Sequence, residues 1–161
     1  MSHDNFIGLS RRTMLKSIAL LGGVLGLRQV QAQHNENPFP EDVSHHIVYQ
    51  CNKADPDYLE HILFSAGELL RKYGDDIEIV FAVFGAGLNL LGRHPVRHIP
   101  HELQQHASSL AAYGVSFHAC GNTMLSLHWT EKDLVDYAKV VPIGAEDLML
   151  LQEKGFAYLS W

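Results

Sequence analysis

Ile77-Glu78-Ile79-Val80-Phe81-Ala82-Val83-Phe84, followed by Gly85-Ala86-Gly87, is the stretch that decides the fold. A strand with one wet face alternates polar and apolar residues; a near-continuous apolar run reads as a strand of a parallel sheet buried on both faces. The elements around it agree. Upstream, His46-Ile47-Val48-Tyr49-Gln50-Cys51 is a β-rich run ended by Asn52-Lys53-Ala54-Asp55-Pro56. Asp55-Pro56 reads as an N-cap followed by proline at the first helical position. The helix runs to about Tyr73 with Leu59, Ile62, Leu63, Ala66, Leu69 and Leu70 at helical spacing, and Gly74 stops it. On its outer face Glu68 and Lys72 form an i, i+4 pair.

Downstream come a short apolar stretch, Leu88 to Leu91, and a polar insertion, Gly92 to Pro100. A helix from Glu102 to Tyr113 is closed by Gly114, and Val115 to Cys120 forms a third strand. Thr130-Glu131-Lys132-Asp133 reads as a helix start leading to Tyr137, Val140-Val141-Pro142 as a strand, Gly144 to Lys154 as a helix and Phe156 to Trp161 as a last strand. The alternation of strands and helices predicts a three-layer α/β domain, a mostly parallel five-stranded sheet with helices on both faces.

Cys120 is the residue this layout singles out. It ends the third strand at the carboxyl edge of the sheet, where open α/β folds keep their sites. A thiol there, just before a possible helix start, can be held as thiolate by backbone N–H groups. A small buried core residue is the competing reading, since free cysteine is among the most buried residue types. His118, two residues earlier, faces the same way as Cys120. Cys51 ends the first strand, and with a flavodoxin-like strand order the first and third strands are neighbours at the switch point. Neighbouring strands lie ~4.8 Å apart, near the Cα separation of a disulfide, so Cys51 and Cys120 are expected to meet across one cleft.

The ends and the charge narrow the setting. Ser10-Arg11-Arg12-Thr13-Met14-Leu15-Lys16 resembles a twin-arginine export signature; an apolar stretch from Ser17 to Leu27 and the small-x-small pattern Val30-Gln31-Ala32 follow. Residues 1–32 are therefore expected to be a signal peptide removed on export to the periplasm, residues 33–44 a flexible leader, and residues 45–161 the folded domain. Removal takes away Arg11, Arg12, Lys16 and Arg28 from 12 bases and Asp4 from 18 acids, leaving 8 against 17. An acidic domain with no basic stripe argues against nucleic acid as partner, and no membrane contact is expected once the signal is gone. The two cysteines do not make a disulfide scaffold; any bond between them is a late clamp or a redox device.

Tyr49-Gln50-Cys51-Asn52-Lys53-Ala54-Asp55-Pro56, Gly85-Ala86-Gly87-Leu88, the run Gly114 to Thr123, Val141-Pro142-Ile143-Gly144-Ala145 and Leu151-Gln152-Glu153-Lys154-Gly155-Phe156-Ala157-Tyr158 together resemble the DsrE/DsrF-like family. The likeness covers about His45 to the C-terminus, apart from Gly92 to His101. It implies a parallel five-stranded α/β fold and a homo-oligomer, a trimer or hexamer. It also implies that Cys120 matches the strand-end cysteine that carries a persulfide in sulfur-trafficking members.

Three functions stay open on the residues. In the first, Cys120 takes up a sulfane sulfur from a donor protein or small sulfur compound, with His118 tuning the thiol and Cys51 as partner. In the second, no organic cofactor is bound and copper or zinc is held by Cys120, His118 and Cys51, or by His94, His98, His101 and His106. A solvated histidine-rich loop is the plainer account of those four histidines. In the third, the domain is a non-enzymatic oligomeric binding module and Cys120 is structural. Gly85-Ala86-Gly87 is not a dinucleotide fingerprint: Leu90 stands where the third glycine belongs, and the motif follows the second strand rather than the first.

Overall fold

The computed structural model describes residues 43–161. The signal expected over residues 1–32 and nearly all of the leader lie outside the described residues. Five strands, β1 (His45–Cys51), β2 (Ile77–Val83), β3 (Ser116–Cys120), β4 (Ala138–Val141) and β5 (Ala157–Leu159), form one sheet in the order β4-β3-β2-β1-β5. Every neighbouring pair is parallel. The helices are α1 (Pro56–Tyr73), α2 (His101–Ala112), α3 (Gly121–Leu127) and α4 (Gly144–Glu153). None of the helices among the described residues is long and apolar enough to cross a membrane.

The strand order corrects one expectation. β2 lies between β1 and β3, so the first and third strands are not neighbours. The chain adds β2, β3 and β4 outward in one direction, then returns to place β5 on the far side of β1. Parallel crossovers are right-handed, so reversing the direction of travel moves the connecting helix to the opposite face. That is the arrangement observed. The larger core, on one side of the sheet, holds Leu59, Ile62 and Leu63 of α1 with Leu103, Ala107 and Leu110 of α2. On the other side Leu151 of α4 packs with Val48, Val80, Ala82 and Phe156.

Local chemistry sets the element ends. Asp55 accepts the Tyr58 N–H at 2.9 Å, and Pro56 occupies the first turn of α1. Gly74 closes it at φ +58°, a left-handed value that a side chain would strain. Glu68 pairs with Arg71 rather than with the expected Lys72, whose ammonium instead lies 4.8 Å from the Tyr73 ring centroid. Tyr49, Phe81 and Phe117, in register on β1, β2 and β3, form an aromatic row with ring centroids 4.9 Å apart at each step. A one-residue slip would turn this row to the opposite face, so it fixes the register.

The segment from Thr130 differs from expectation. The Thr130 N–H donates to Asp133 Oδ2 at 2.7 Å in a capping box, but only a 3-10 turn, Glu131–Asp133, follows. The next backbone groups pair elsewhere: the Arg93 N–H donates to the Asp133 carbonyl at 2.8 Å, and the Val135 N–H to the Leu91 carbonyl at 2.9 Å. The helix of this connection is α3, directly after β3.

Candidate functional site

Cys120 ends β3 at the carboxyl edge of the sheet, and α4 covers it. Helix α4 begins at Gly144 with Ile143 as a cap that offers no side-chain acceptor. The first N–H of a helix lacks an intrahelical partner; here it donates to Cys120 Sγ at 3.2 Å. The approach is close enough to require glycine, because a Cβ on residue 144 would lie 2.9 Å from the Cys120 Cβ and 3.2 Å from that of Phe84. On the other side, Thr123 Oγ1 accepts the Gly85 N–H at 3.1 Å, which leaves the Thr123 hydroxyl proton free to turn to the sulfur.

These donors decide the state of the thiol. Burial opposes ionisation of Cys120, but the Thr123 hydroxyl and the N–H groups of Gly144, Thr123 and Asn122 outweigh it, and the thiol is held below its ordinary pKa. The residue keeps 5 % of its surface exposed. Cys120 thus ends its strand at the carboxyl edge, as expected, and is buried there.

His118 is buried on the same face of β3 as Cys120. Its Nδ1–H donates to Asp147 Oδ2 of α4 at 2.8 Å. The match between strand and helix is geometric. Two residues along a strand advance ~6.6 Å, three along a helix ~4.5 Å on one face. Gly144 can therefore sit over Cys120 while Asp147 reaches His118. The carboxylate fixes the ring's orientation. Gly144 and Asp147 were not singled out in the sequence; only their i, i+3 spacing on the last helix hinted at a shared face.

Cys51 is not brought to this site. It pairs in register with Val83, which pairs with Ala119. Cys51 therefore shares a face with Ala119, and Cys120 points to the opposite face. β2 also intervenes, placing the strands of the two cysteines ~9.6 Å apart. Both thiols are free. Cys51 is fully buried, and burial pushes its thiol up to about 12. It is a core residue whose carbonyl receives the turn after β2: a Cβ at Gly87 would lie 2.3 Å from the Cys51 oxygen. Of the glycines after β2, Gly87 thus serves close packing and Gly85 a left-handed turn at φ +54°.

The second histidine set is spread out. His101 and His106 lie on α2, and His94 and His98 in the preceding loop. Among the described residues, no three His, Cys, Asp or Glu side chains come together as a ligand set for a metal ion. Trp129 packs against Gly92, where a Cβ would lie 2.4 Å from the indole.

Fold and site thus define a parallel α/β protein with a donor-capped thiol at the carboxyl edge of its sheet. The DsrE/DsrF-like family model matches residues 46–161, and the chain belongs to that family. Membership supports a general sulfur-related role. Two solved structures share the fold: a protein of unknown function, MTH1491, from Methanobacterium thermoautotrophicum, at 22 % identity and a TM-score of 0.65, and the ychN protein from E. coli, at 18 % identity and 0.58. Each comparison covers 73 % of this chain and 99 % of the other. None of the curated proteins matches the chain.

Proposed function

We propose that the protein is an exported, periplasmic homo-oligomer that carries sulfane sulfur on Cys120. The Cys120 thiolate attacks the outer sulfur of a persulfide donor; a new S–S bond forms, the donor's S–S bond breaks, and the donor leaves as its own thiolate. Cys120 then holds the sulfur as a persulfide until an acceptor thiolate attacks it in turn. Charge is conserved at each step, and no external oxidant or reductant is consumed. Nucleophilic attack requires the thiolate.

The observation that carries this reading is the Gly144 N–H donated to Cys120 Sγ. A merely structural cysteine in an apolar core has no such donor and is driven toward the neutral thiol, as Cys51 is. The His118–Asp147 pair supports the site from behind as a fixed, polar neighbour. Cys51 has no part in the transfer, because it lies on the other face.

Mass spectrometry after incubation with polysulfide tests the reading. One added sulfur atom on the peptide containing Cys120, absent from the Cys51 peptide and reversed by dithiothreitol, is the expected result. An unmodified Cys120 peptide, with the thiol free by titration, would refute it.

A further inference from the structure

Asn89 is, with His118, one of two buried polar side chains among the described residues, and it is 1 % exposed. Burying an amide is costly unless its hydrogen bonds are made. Asn89 makes them with two points of the chain: its Nδ2 donates to the Ala86 carbonyl at 2.9 Å, and its Oδ1 accepts the Arg97 N–H at 2.9 Å. The result is to pin the loop after the 3-10 segment Gly85–Leu91 so that Arg97 stands beside the turn that follows β2.

Arg97 there borders a hollow of ≈ 390 Å³, which Gly85, Asn122, Thr123, Ser126 and Leu127 also line. Thr123 and Asn122 are the residues whose donors surround the Cys120 sulfur. Arg97 is the one charged residue lining this hollow, and no carboxylate among the described residues forms an ion pair with it. A wider hollow of ≈ 670 Å³ on its other side adds Lys53 and His98, with Asp55 as its one carboxylate. That carboxylate is occupied as the cap of α1. The chain as a whole has a net charge of −6, so an uncompensated guanidinium lining the same hollow as Asn122 and Thr123 is a local reversal of sign. Guanidinium groups recognise planar or tetrahedral oxyanions through paired N–H donors.

We infer that the hollow between Arg97 and Thr123 is an oxyanion subsite that orients a small anionic sulfane-sulfur donor of the thiosulfate class toward Cys120. The inference rests on the carrier reading above and adds the donor class. The sulfonate end lies on Arg97 and the outer sulfur faces the thiol. The Cys120 thiolate attacks that outer sulfur, a Cys–S–S bond forms, the bond to the sulfonate sulfur breaks, and its electron pair leaves with sulfite.

Two measurements on the full chain and on Arg97→Met test it. In the first, sulfate, an unreactive tetrahedral dianion, is titrated while backbone amide shifts are followed by NMR. Saturable shifts at Gly85, Asn122, Thr123 and Ser126, weakened about 10- to 100-fold in the variant, are expected for loss of a charge-assisted contact. No saturable shift, or equal affinity in both proteins, overturns the subsite. In the second, thiosulfate loading of Cys120, read by mass and sulfite release, is compared with alkylation by uncharged iodoacetamide. Loading lost in the variant with alkylation unchanged supports the proposal; equal loading in both proteins overturns it. If the wild-type protein is loaded by polysulfide but never by thiosulfate, the donor class is overturned and the carrier reading stands; if neither loads it, the carrier reading fails, while the sulfate titration still decides the hollow.

Discussion

Gly144→Ala tests how the thiol is held. Gly144 has an ordinary helical φ, being absent from the positive-φ residues. In open space, alanine there would gain up to about 1 kcal/mol in helix propensity over glycine. The space is not open: the new methyl would lie 2.9 Å from the Cys120 Cβ and 3.2 Å from that of Phe84, both on the sheet side of α4. Overpacking of this kind costs about 1–3 kcal/mol, so a net loss of up to about 2 kcal/mol in urea unfolding is expected. The more specific readout is the thiol. Relief of the clash requires the start of α4 to move off the sheet, which lengthens the 3.2 Å Gly144 N–H to Sγ contact. Losing a hydrogen bond to a thiolate removes about 1.5 kcal/mol, or about one pKa unit. The iodoacetamide rate at Cys120, followed against pH, should show a midpoint below the ~8.5 of a free thiol in the wild type and about one unit higher in the variant. Ala145→Gly, at the exposed next position, serves as control: it should lose helix stability without moving the midpoint. A Gly144→Ala protein that is destabilised as expected but titrates like wild type would refute the argument that this N–H sets the thiol.

Other outcomes follow from the same geometry. Native protein should take up one equivalent of iodoacetamide at Cys120, and a second at Cys51 only in denaturant, with no disulfide on a non-reducing gel. The lowered Cys120 pKa also makes the folded state bind fewer protons than the unfolded chain around that pKa. This contribution to stability is complete above the unfolded value of ~8.5 and is lost as pH falls through the folded one. Cys120→Ser should therefore flatten the pH dependence of urea unfolding below the unfolded thiol value of ~8.5, and an unchanged slope would speak against it. For His118 and Asp147, a double-mutant cycle with His118→Ala and Asp147→Ala should give a coupling of about 0.5–3 kcal/mol in urea unfolding. Additive single mutants would mean that the 2.8 Å contact contributes nothing to stability.

Much of the layout follows from local chemistry and was legible in the chain. The apolar run Ile77 to Val83 carries its own requirement for two covered faces. Asp55-Pro56 and Gly74 start and stop α1 through hydrogen bonds and φ values that span only a few residues. Cys120 at the end of its strand and His118 on the same face follow from strand periodicity. Thr130 to Asp133 was misleading for the same local reason: its capping box forms, but no periodic apolar row extends the turn against competition from backbone partners at Leu91 and Arg93.

Taken alone, the sequence determined the class of fold, the parallel sense of the sheet and the edge on which Cys120 ends. Only the tertiary structure decided that β2 separates the two cysteines, that they point to opposite faces, and that Gly144 reaches Cys120 while Asp147 reaches His118. The physical reason is that strand order and helix placement are set by packing between segments far apart in the chain. A strand's own residues record which of its faces are buried, but not which strand will lie beside it.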